Sequence, residues 1–425
     1  MPPSWEPDYL GRVSRQVYES LEKADSNATW LQMGWLFYNE RQYWTNDRVQ
    51  AYLTSFPTDR QIILDYFCER QEVWQRTEKF FGVPYIWCYL GNFGGNTALV
   101  GQFNELEKRI DNTYANGGSN FKGIGATLEG FDCNPYVYEY VLEKAWDTAE
   151  TKSIATWKTG LADQRVGIVD QTARNAWSII IDSVYCDSTT PGQATYINQR
   201  PNIGKAKTYY ANARLKYANR NLANAIGELL KVNGKNNAYA FDLTNLTRQM
   251  LSNYFDGLKH RYDSAYSLRN RDSMKIISEE MLGILDDVDT LLGTQTYFLV
   301  GKWISDARSW GATPAEQDYF ESNARNILTT WSDKDQLLND YACRTWNGLV
   351  KTFYKVRWEK FFAAVNATLD SGAEWDDAHY KAYSDDVTTF EKDWWEKRIG
   401  HFTAVPVGDS RTLAKALYEK YKGRI

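Results

Sequence analysis

Residues 121–140 read FKGIGATLEGFDCNPYVYEY: a short apolar strand, a sharp turn and then a helix. Gly123, Gly125 and Gly130 punctuate the run, and Glu129 stands where the strand ends. Lys122 is the nearest basic residue upstream of it. A carboxylate in that position leaves the carboxyl end of a strand, the end at which parallel βα architectures do chemistry. It equally suits an ordinary helix start, where the macrodipole favours negative charge. Position alone leaves both readings open.

Working back toward residue 1, the same alternation repeats. Pro7–Asp25 predicts a helix, with Leu10, Val13, Val17 and Leu21 at three- and four-residue spacing. TWLQMGWLF (Thr29–Phe37) reads as a continuous apolar strand that carries Trp35 out at its end. Asn46–Phe56 is a short helix closed by Pro57, and QIILDYF (Gln61–Phe67) is the next buried strand. Glu72–Phe81 reads as helix, and YIWCYL (Tyr85–Leu90) as a strand running into GNFGGN (Gly91–Asn96). Thr97–Ile110 is helical, the fourth strand lies near 122–127, and Pro135–Trp146 is its helix. Four strand–helix units with apolar strands predict a parallel sheet covered on both faces. The expected fold class of residues 1–150 is therefore α/β, as the last four units of a (β/α)8 barrel. Half a barrel has two unpaired edges. Either the remainder of the chain covers them, or the other half is absent from this chain.

Beyond Thr151 strand signals fade, and residues 151–425 are expected to form an all-α domain of antiparallel helices. Leu243, Leu246, Met250, Tyr254, Leu258 and Tyr262 share one helical face. Met274, Ile277, Met281, Ile284, Val288 and Leu291 make a second amphipathic stripe. Further helices are expected near 161–184, 203–230, 315–330, 337–370, 377–398 and 410–420.

Composition narrows the chemistry. Of 425 residues, 43% are hydrophobic and 24% charged, which suits a globular protein, and the net charge of −5 argues against nucleic acid. The 17 Trp, 29 Tyr and 18 Phe exceed what a core needs, and ring faces with polar handles suit sugars. Five cysteines (Cys68, Cys88, Cys133, Cys186, Cys343) lack any CxxC, so neither a zinc site nor a disulfide framework is indicated. Only His260, His379 and His401 occur, which leaves carboxylates as the acid–base groups. No cofactor and no metal are called for. No apolar run approaches a membrane span, and MPPSWEPDYL is not a signal peptide, so the compartment is unassigned.

Three carboxylates sit at strand ends: Asp65, Glu69 and Glu129. A facing pair would make a glycosidase. The alternative for Asp65 and Glu69 is burial against Arg70 or another base. GNFGGN lacks the lysine and the glycine spacing of a P-loop. Asn92 and Asn96 suit sugar hydroxyls, or simply turn positions. Trp331-Ser332-Asp333 opens a polar loop that ends at Asp340-Tyr341, with rings fit for a cleft or for packing.

ILDYFCERQEVW (63–74), PYIWCYLGNFGGN (84–96), GIGATLEGFDCNPYVYEYVLEKAW (123–146), LTRQ (246–249) and WSDKDQLLNDYACRTWNGLV (331–350) resemble the α-N-acetylglucosaminidases of glycoside hydrolase family 89. The resemblance runs over essentially the whole chain. It implies a (β/α)8 barrel followed by an all-α domain, and a retaining mechanism with two glutamates. Glu129 matches the nucleophile's motif. Trp35, Asn92, Phe93, Trp331 and Tyr341 match sugar-pocket residues, and Glu69 is a candidate secondary acid. The family's acid/base glutamate lies in a Phe-Asn-Glu-Met motif followed by Pro-Pro and Glu-Pro-x-Tyr-Leu, whereas this sequence opens MPPSWEPDYL. The expectation is that the chain begins just after that glutamate, lacks the first barrel half, and does not turn over substrate alone. Expected partners are a glycan with terminal α-linked N-acetylglucosamine and the missing N-terminal half, with no nucleic acid and no membrane span. Full-length members of the family are lysosomal, periplasmic or secreted. The alternative function is a non-catalytic carbohydrate-binding or structural module. Sequons at Asn27, Asn245 and Asn366 matter only on a eukaryotic secretory route.

Overall fold

The computed structural model describes residues 3–130, 134–146, 153–186, 194–207, 215–332 and 338–425. The chain forms two compact units. The first comprises Met1–Gly91, Gly101–Glu129 and Asn134–Trp157; the second takes Asn92–Val100, Gly130–Cys133 and Lys158–Ile425. Cys133 and residues 333–337 of the aromatic loop lie outside the described residues.

In the first unit α1 (Pro7–Ala24) leads to β1 (Trp30–Met33), α2 (Trp35–Asn39), α3 (Asn46–Leu53), β2 (Gln61–Asp65) and α4 (Val73–Arg76). β3 (Tyr85–Tyr89), α5 (Phe103–Asn116), β4 (Phe121–Ala126) and α6 (Pro135–Glu143) follow. The strands pair in parallel in the order β1-β2-β3-β4, so their carboxyl ends share one side. Central β2 and β3 are the most buried: Ile63, Tyr85 and Trp87 are inaccessible. A buried ladder of side chains ties β3 to the helices behind it. Glu72 accepts from Trp87 Nε1 at 2.9 Å, Thr113 Oγ1 at 3.0 Å and Arg109 at 3.3 Å.

Several expected elements differ. The apolar run Thr29–Phe37 is not one strand. Gly34 N–H bonds to Leu64 O at 2.8 Å, the backbone turns there, and Trp35 starts α2. A short apolar run does not by itself distinguish strand from helix. Glu72–Phe81 is not one helix either: α4 ends at Arg76, and Glu78–Phe81 turn left-handed, with φ of 47–60°. The expected helix at Thr97 starts only at Phe103. Asn96 Oδ1 takes the Ala98 amide and Gln249 Oε1 takes that of Leu99, which diverts this backbone from helical pairing. In α1 the buried face is Leu10, Gly11, Ser14 and Tyr18, because Tyr18 stacks on Phe56 at 4.6 Å. Val13, Val17 and Leu21 stay exposed, as do Leu31 and Met33 on edge strand β1.

In the second unit, α7 (Ile154–Val166, begun in the first unit), α8 (Gln171–Ile179) and α9 (Asn219–Leu229) precede α10 (Asn237–Ser267), a 31-residue central helix. α11 (Arg271–Leu292), α12 (Val300–Arg308), α13 (Pro314–Leu328), α14 (Lys355–Asp370), α15 (Asp377–Glu396) and α16 (Ser410–Tyr421) complete it. Both expected stripes, on α10 and α11, are buried throughout. α10 also buries polar residues: Asp242 pairs with Arg165 at 2.6 Å, and Asn245 Oδ1 accepts from Arg248 at 2.8 Å. Asn245 is therefore closed to a glycan, whereas Asn27 and Asn366 are exposed. α12 was not expected from the sequence. The helix expected from 337 begins only near 350, because Asp289 fixes the turn before it. Its carboxylate accepts from the Gly348 and Lys351 amides at 2.7 and 3.1 Å. Of the helix expected over 203–230, the described residues show only α9. Among the described residues no helix is long and apolar enough to cross a membrane, and beyond 151 there is one isolated strand bridge, Leu299–Asn347.

Candidate active site

The carboxyl ends of β2 and β4 assemble the first unit's chemical groups. Asp65, the last residue of β2, is wholly buried and accepts from the Val73 and Trp74 amides at 3.2 and 3.0 Å. It caps α4 rather than pairing with Arg70. Glu69, four residues on, accepts from Leu90 N (3.2 Å) and Gly91 N (2.7 Å), and so ties the β2 loop to the end of β3. Burial lifts both carboxyls to about 7, against the opposing pull of those amides. Both oxygens of Glu69 are spent on backbone, which makes holding the loop its evident duty.

Glu129 differs from both. β4 ends at Ala126, Thr127 N extends the ladder to Tyr89 O at 2.9 Å, and Thr127 Oγ1 donates to Tyr66 O at 2.7 Å. Two residues later Glu129 is exposed to solvent. Its charge, after burial, is the next cause of the raised Tyr66 phenol. Tyr66 is in turn 5.9 Å, ring to ring, from half-buried Trp35, which also packs on Tyr38 and Phe67. The unit thus brings Trp35, Tyr66 and Glu129 into one neighbourhood. Tyr66 escaped the sequence reading. Its place directly after the strand QIILD, beside the acidic residue that drew attention, was the available signal.

The second unit gathers the other predicted residues. Asn92 is 1% exposed, and its Nδ2 donates to Asn96 O at 2.8 Å, so it closes the GNFGGN turn. Gly94 (φ 62°) and Gly95 (φ 80°) need left-handed backbone and also lack room. A Cβ on Gly94 would strike the Tyr341 carbonyl, and one on Gly95 the Arg344 guanidinium. The loop bearing half-buried Phe93 therefore lies against the segment that follows Tyr341. Tyr341 meets Trp331 edge to face, with centroids 5.1 Å apart. Arg344, the one arginine of the 331–350 run, stacks over Trp346 at 4.7 Å and was likewise not singled out.

A buried ion chain holds Asp340, at the Tyr341 end of the loop. Asp340 receives Arg357 Nη2 at 2.7 Å, Arg357 Nε reaches Glu391 at 2.7 Å, and Arg200 closes on Glu391 at 2.5 Å. Asp340 and Glu391 together outweigh desolvation and hold Arg357 charged. Trp331, Asp340 and Cys343 all have left-handed backbone (φ 56°, 63° and 42°), and at Asp340 the buried ion pair sustains that strain.

Comparison with known proteins finds relatives along nearly the whole chain. Residues 1–148 match the alpha-N-acetylglucosaminidase (NAGLU) tim-barrel domain, and residues 157–420 the alpha-N-acetylglucosaminidase (NAGLU) C-terminal domain. Alpha-N-acetylglucosaminidase of Homo sapiens is 31% identical over 430 residues, which cover 100% of this chain and 56% of that protein. A family 89 glycoside hydrolase from Clostridium perfringens in complex with PUGNAc superimposes with a TM-score of 0.85 at 26% identity, over 97% of this chain and 46% of that one. A Glu-to-Gln form of the Clostridium perfringens enzyme, in complex with its substrate GlcNAc-alpha-1,4-galactose, gives 0.84 at 26% identity, over 96% and 46%. The chain spans about half the length of these relatives.

Proposed function

The chain belongs to the alpha-N-acetylglucosaminidase (NAGLU) family, and on that premise we propose that it carries the nucleophile of a retaining exo-α-N-acetylglucosaminidase. Glu129 is the nucleophile. The observation that carries the reading is its place: an exposed carboxylate just past a parallel strand's carboxyl end, beside Tyr66. The substrate class is a glycan ending in α-linked N-acetylglucosamine, in keeping with the GlcNAc-alpha-1,4-galactose bound by the clostridial relative.

The stereochemistry of such a sugar calls for a protein carboxylate. In an α-linked N-acetylglucosaminide the 2-acetamido group lies on the leaving group's face and cannot attack from behind. Glu129 attacks the anomeric carbon, and a glycosyl ester forms as the aglycone departs. A second carboxylic acid protonates the departing oxygen and then deprotonates water, about 5–5.5 Å from the nucleophile in retaining enzymes. In our reading that second group is neither Glu69 nor Asp65, whose oxygens serve backbone amides, but the acid/base glutamate of the family's Asn-Glu motif. Trp35, Phe93, Trp331 and Tyr341 are assigned to the sugar, and Asn92 shapes the loop that carries Phe93.

The four βα units are, on the same reading, one half of an eight-unit barrel. Open edge strand β1 among the described residues, with Leu31 58% and Met33 51% exposed, supports this, as do the exposed Val13 and Val17 of α1. The test compares the 425-residue chain with one extended upstream through the Asn-Glu motif, on an aryl α-N-acetylglucosaminide and on an α-linked disaccharide. The extended chain is expected to exceed the shorter one on the disaccharide by ~10²–10⁴, the usual worth of a general acid. Equal rates would remove the upstream acid from the scheme. Glu129→Gln in the extended chain is expected to abolish turnover of both substrates, and retained activity would overturn the nucleophile assignment.

A further inference from the structure

The second unit holds a cavity of about 610 Å³ between α12, α13 and the turn that follows α15. Ile304 and Phe402 give it an apolar floor. Arg308, Arg325 and Arg398 gather there against only two lining carboxylates, Asp318 and Glu321. Each carboxylate is shared. Glu321 accepts from Arg308 at 2.6 Å and Arg325 at 2.8 Å, and Asp318 accepts from Arg308 at 2.9 Å and Arg398 at 3.2 Å. Lys397, also on the wall, turns to Asp393 at 2.8 Å, and Asp393 does not line the cavity. Three guanidiniums therefore lean on two carboxylates, in a chain whose net charge is −5.

The three arginines are not equivalent. Arg325 is 1% exposed and is fixed by Glu321, by the carbonyls of Ile399 and Gly400, and by the rings of Trp394 and Phe402. Arg308 and Arg398 have side chains 34% and 35% exposed, so solvent reaches both, unlike Arg325. Arg398 is also held at φ 52°, in the left-handed region. Strain of this kind in a non-glycine residue persists where its surroundings fix it, and it concentrates at ligand clamps.

We infer that this cavity binds a sugar-sized molecule carrying a tetrahedral oxyanion, a sulfate or phosphate monoester, with Arg308 and Arg398 as its forks. A rigid guanidinium pairs with two oxygens of such a group at once, and the charge helps most where desolvation is partial. The anion would relieve the surplus positive charge, while Ile304 and Phe402 accept the carbon skeleton. The volume falls within the ordinary range for small-ligand pockets. The inference does not depend on the glycosidase reading.

Calorimetric titration of the full chain at constant ionic strength tests it, with glucose 6-sulfate, glucose 6-phosphate, inorganic sulfate, inorganic phosphate and glucose as probes. Saturable binding of at least one ester is expected, with the better ester identifying the source of the oxyanion, and none of glucose. Arg398→Gln is expected to weaken binding about tenfold, as loss of a charge-assisted pair would. Arg398→Lys should recover only part of it, because ammonium lacks the fork. Circular dichroism of each variant confirms folding, and Arg308→Gln serves if Arg398→Gln misfolds. Absence of saturable binding up to about 10 mM, equal binding of glucose, or unchanged affinity in folded Arg398→Gln would each overturn the site.

Discussion

Among single residues, Glu129 and Glu69 show what a sequence can and cannot say about a carboxylate. Both follow strands, and both invited an acid–base reading. Glu129 could be singled out because strand, turn and helix are written locally around it. The duty of Glu69 could not, because Leu90 and Gly91 are brought to it only by folding. The same holds for Asp65, whose partners are the amides that open α4. Their titration gives a test. Burial raises both carboxyls to about 7, so the folded state holds their protons more tightly than the unfolded chain does. The stability this confers is complete below an unfolded value of about 4 and is lost as pH rises through about 7. Glu69→Gln cannot titrate. The thermal midpoint of that variant is therefore expected to gain on the parent as pH goes from about 4.5 to about 7.5. A difference that stays constant across that range would show that Glu69 is not raised.

Within elements, the regular periodicities were legible and the irregular joints were not. The α10 and α11 stripes are buried as their spacing implies, and the four short apolar runs pair in parallel. The reading failed at Gly34, Thr97 and Gly348, where a carbonyl or side chain distant in sequence claims the local backbone. The joint between α13 and α14 offers the sharpest energetic test. Arg357 lies inaccessible between Asp340 and Glu391. Arg357→Met strands Asp340 and leaves Glu391 with Arg200 alone, and an uncompensated buried charge costs about 3–5 kcal/mol. Denaturant unfolding should show that loss, and a change under about 1 kcal/mol would mean that the chain of charges carries little. Gly95→Ala meets both the strain of positive φ and the Arg344 guanidinium. It is expected to lower stability by about 1–3 kcal/mol, which a melting curve would read, with a neutral result showing that the loop rearranges freely. A milder change is Thr313→Ala, which removes one half of the capping box that starts α13, for about 1 kcal/mol.

For the whole molecule, two observations stand apart: an open sheet and a chain that does not divide at one point. Edge strand β1 offers unpaired backbone beside exposed Leu31 and Met33. Such edges seek partners. The 425-residue chain is therefore expected to associate with rising concentration in sedimentation velocity, and the upstream-extended chain to do so less. Equal behaviour would show that the edge is protected by other means. The second observation concerns inheritance. Asn92–Val100 belongs to the second unit although it is encoded amid the first. Arg248 donates to Thr97 O, Gln249 accepts from the Leu99 amide, and Thr97 Oγ1 accepts from the Thr345 amide. A crossover placed near residue 150 would hand a descendant the C-terminal helices of one parent and the 92–100 loop of another. Each of those three bonds would then join strangers. Lineages of this architecture should therefore exchange the two halves rarely, and successful chimeras should be those that carry the loop along with the helices.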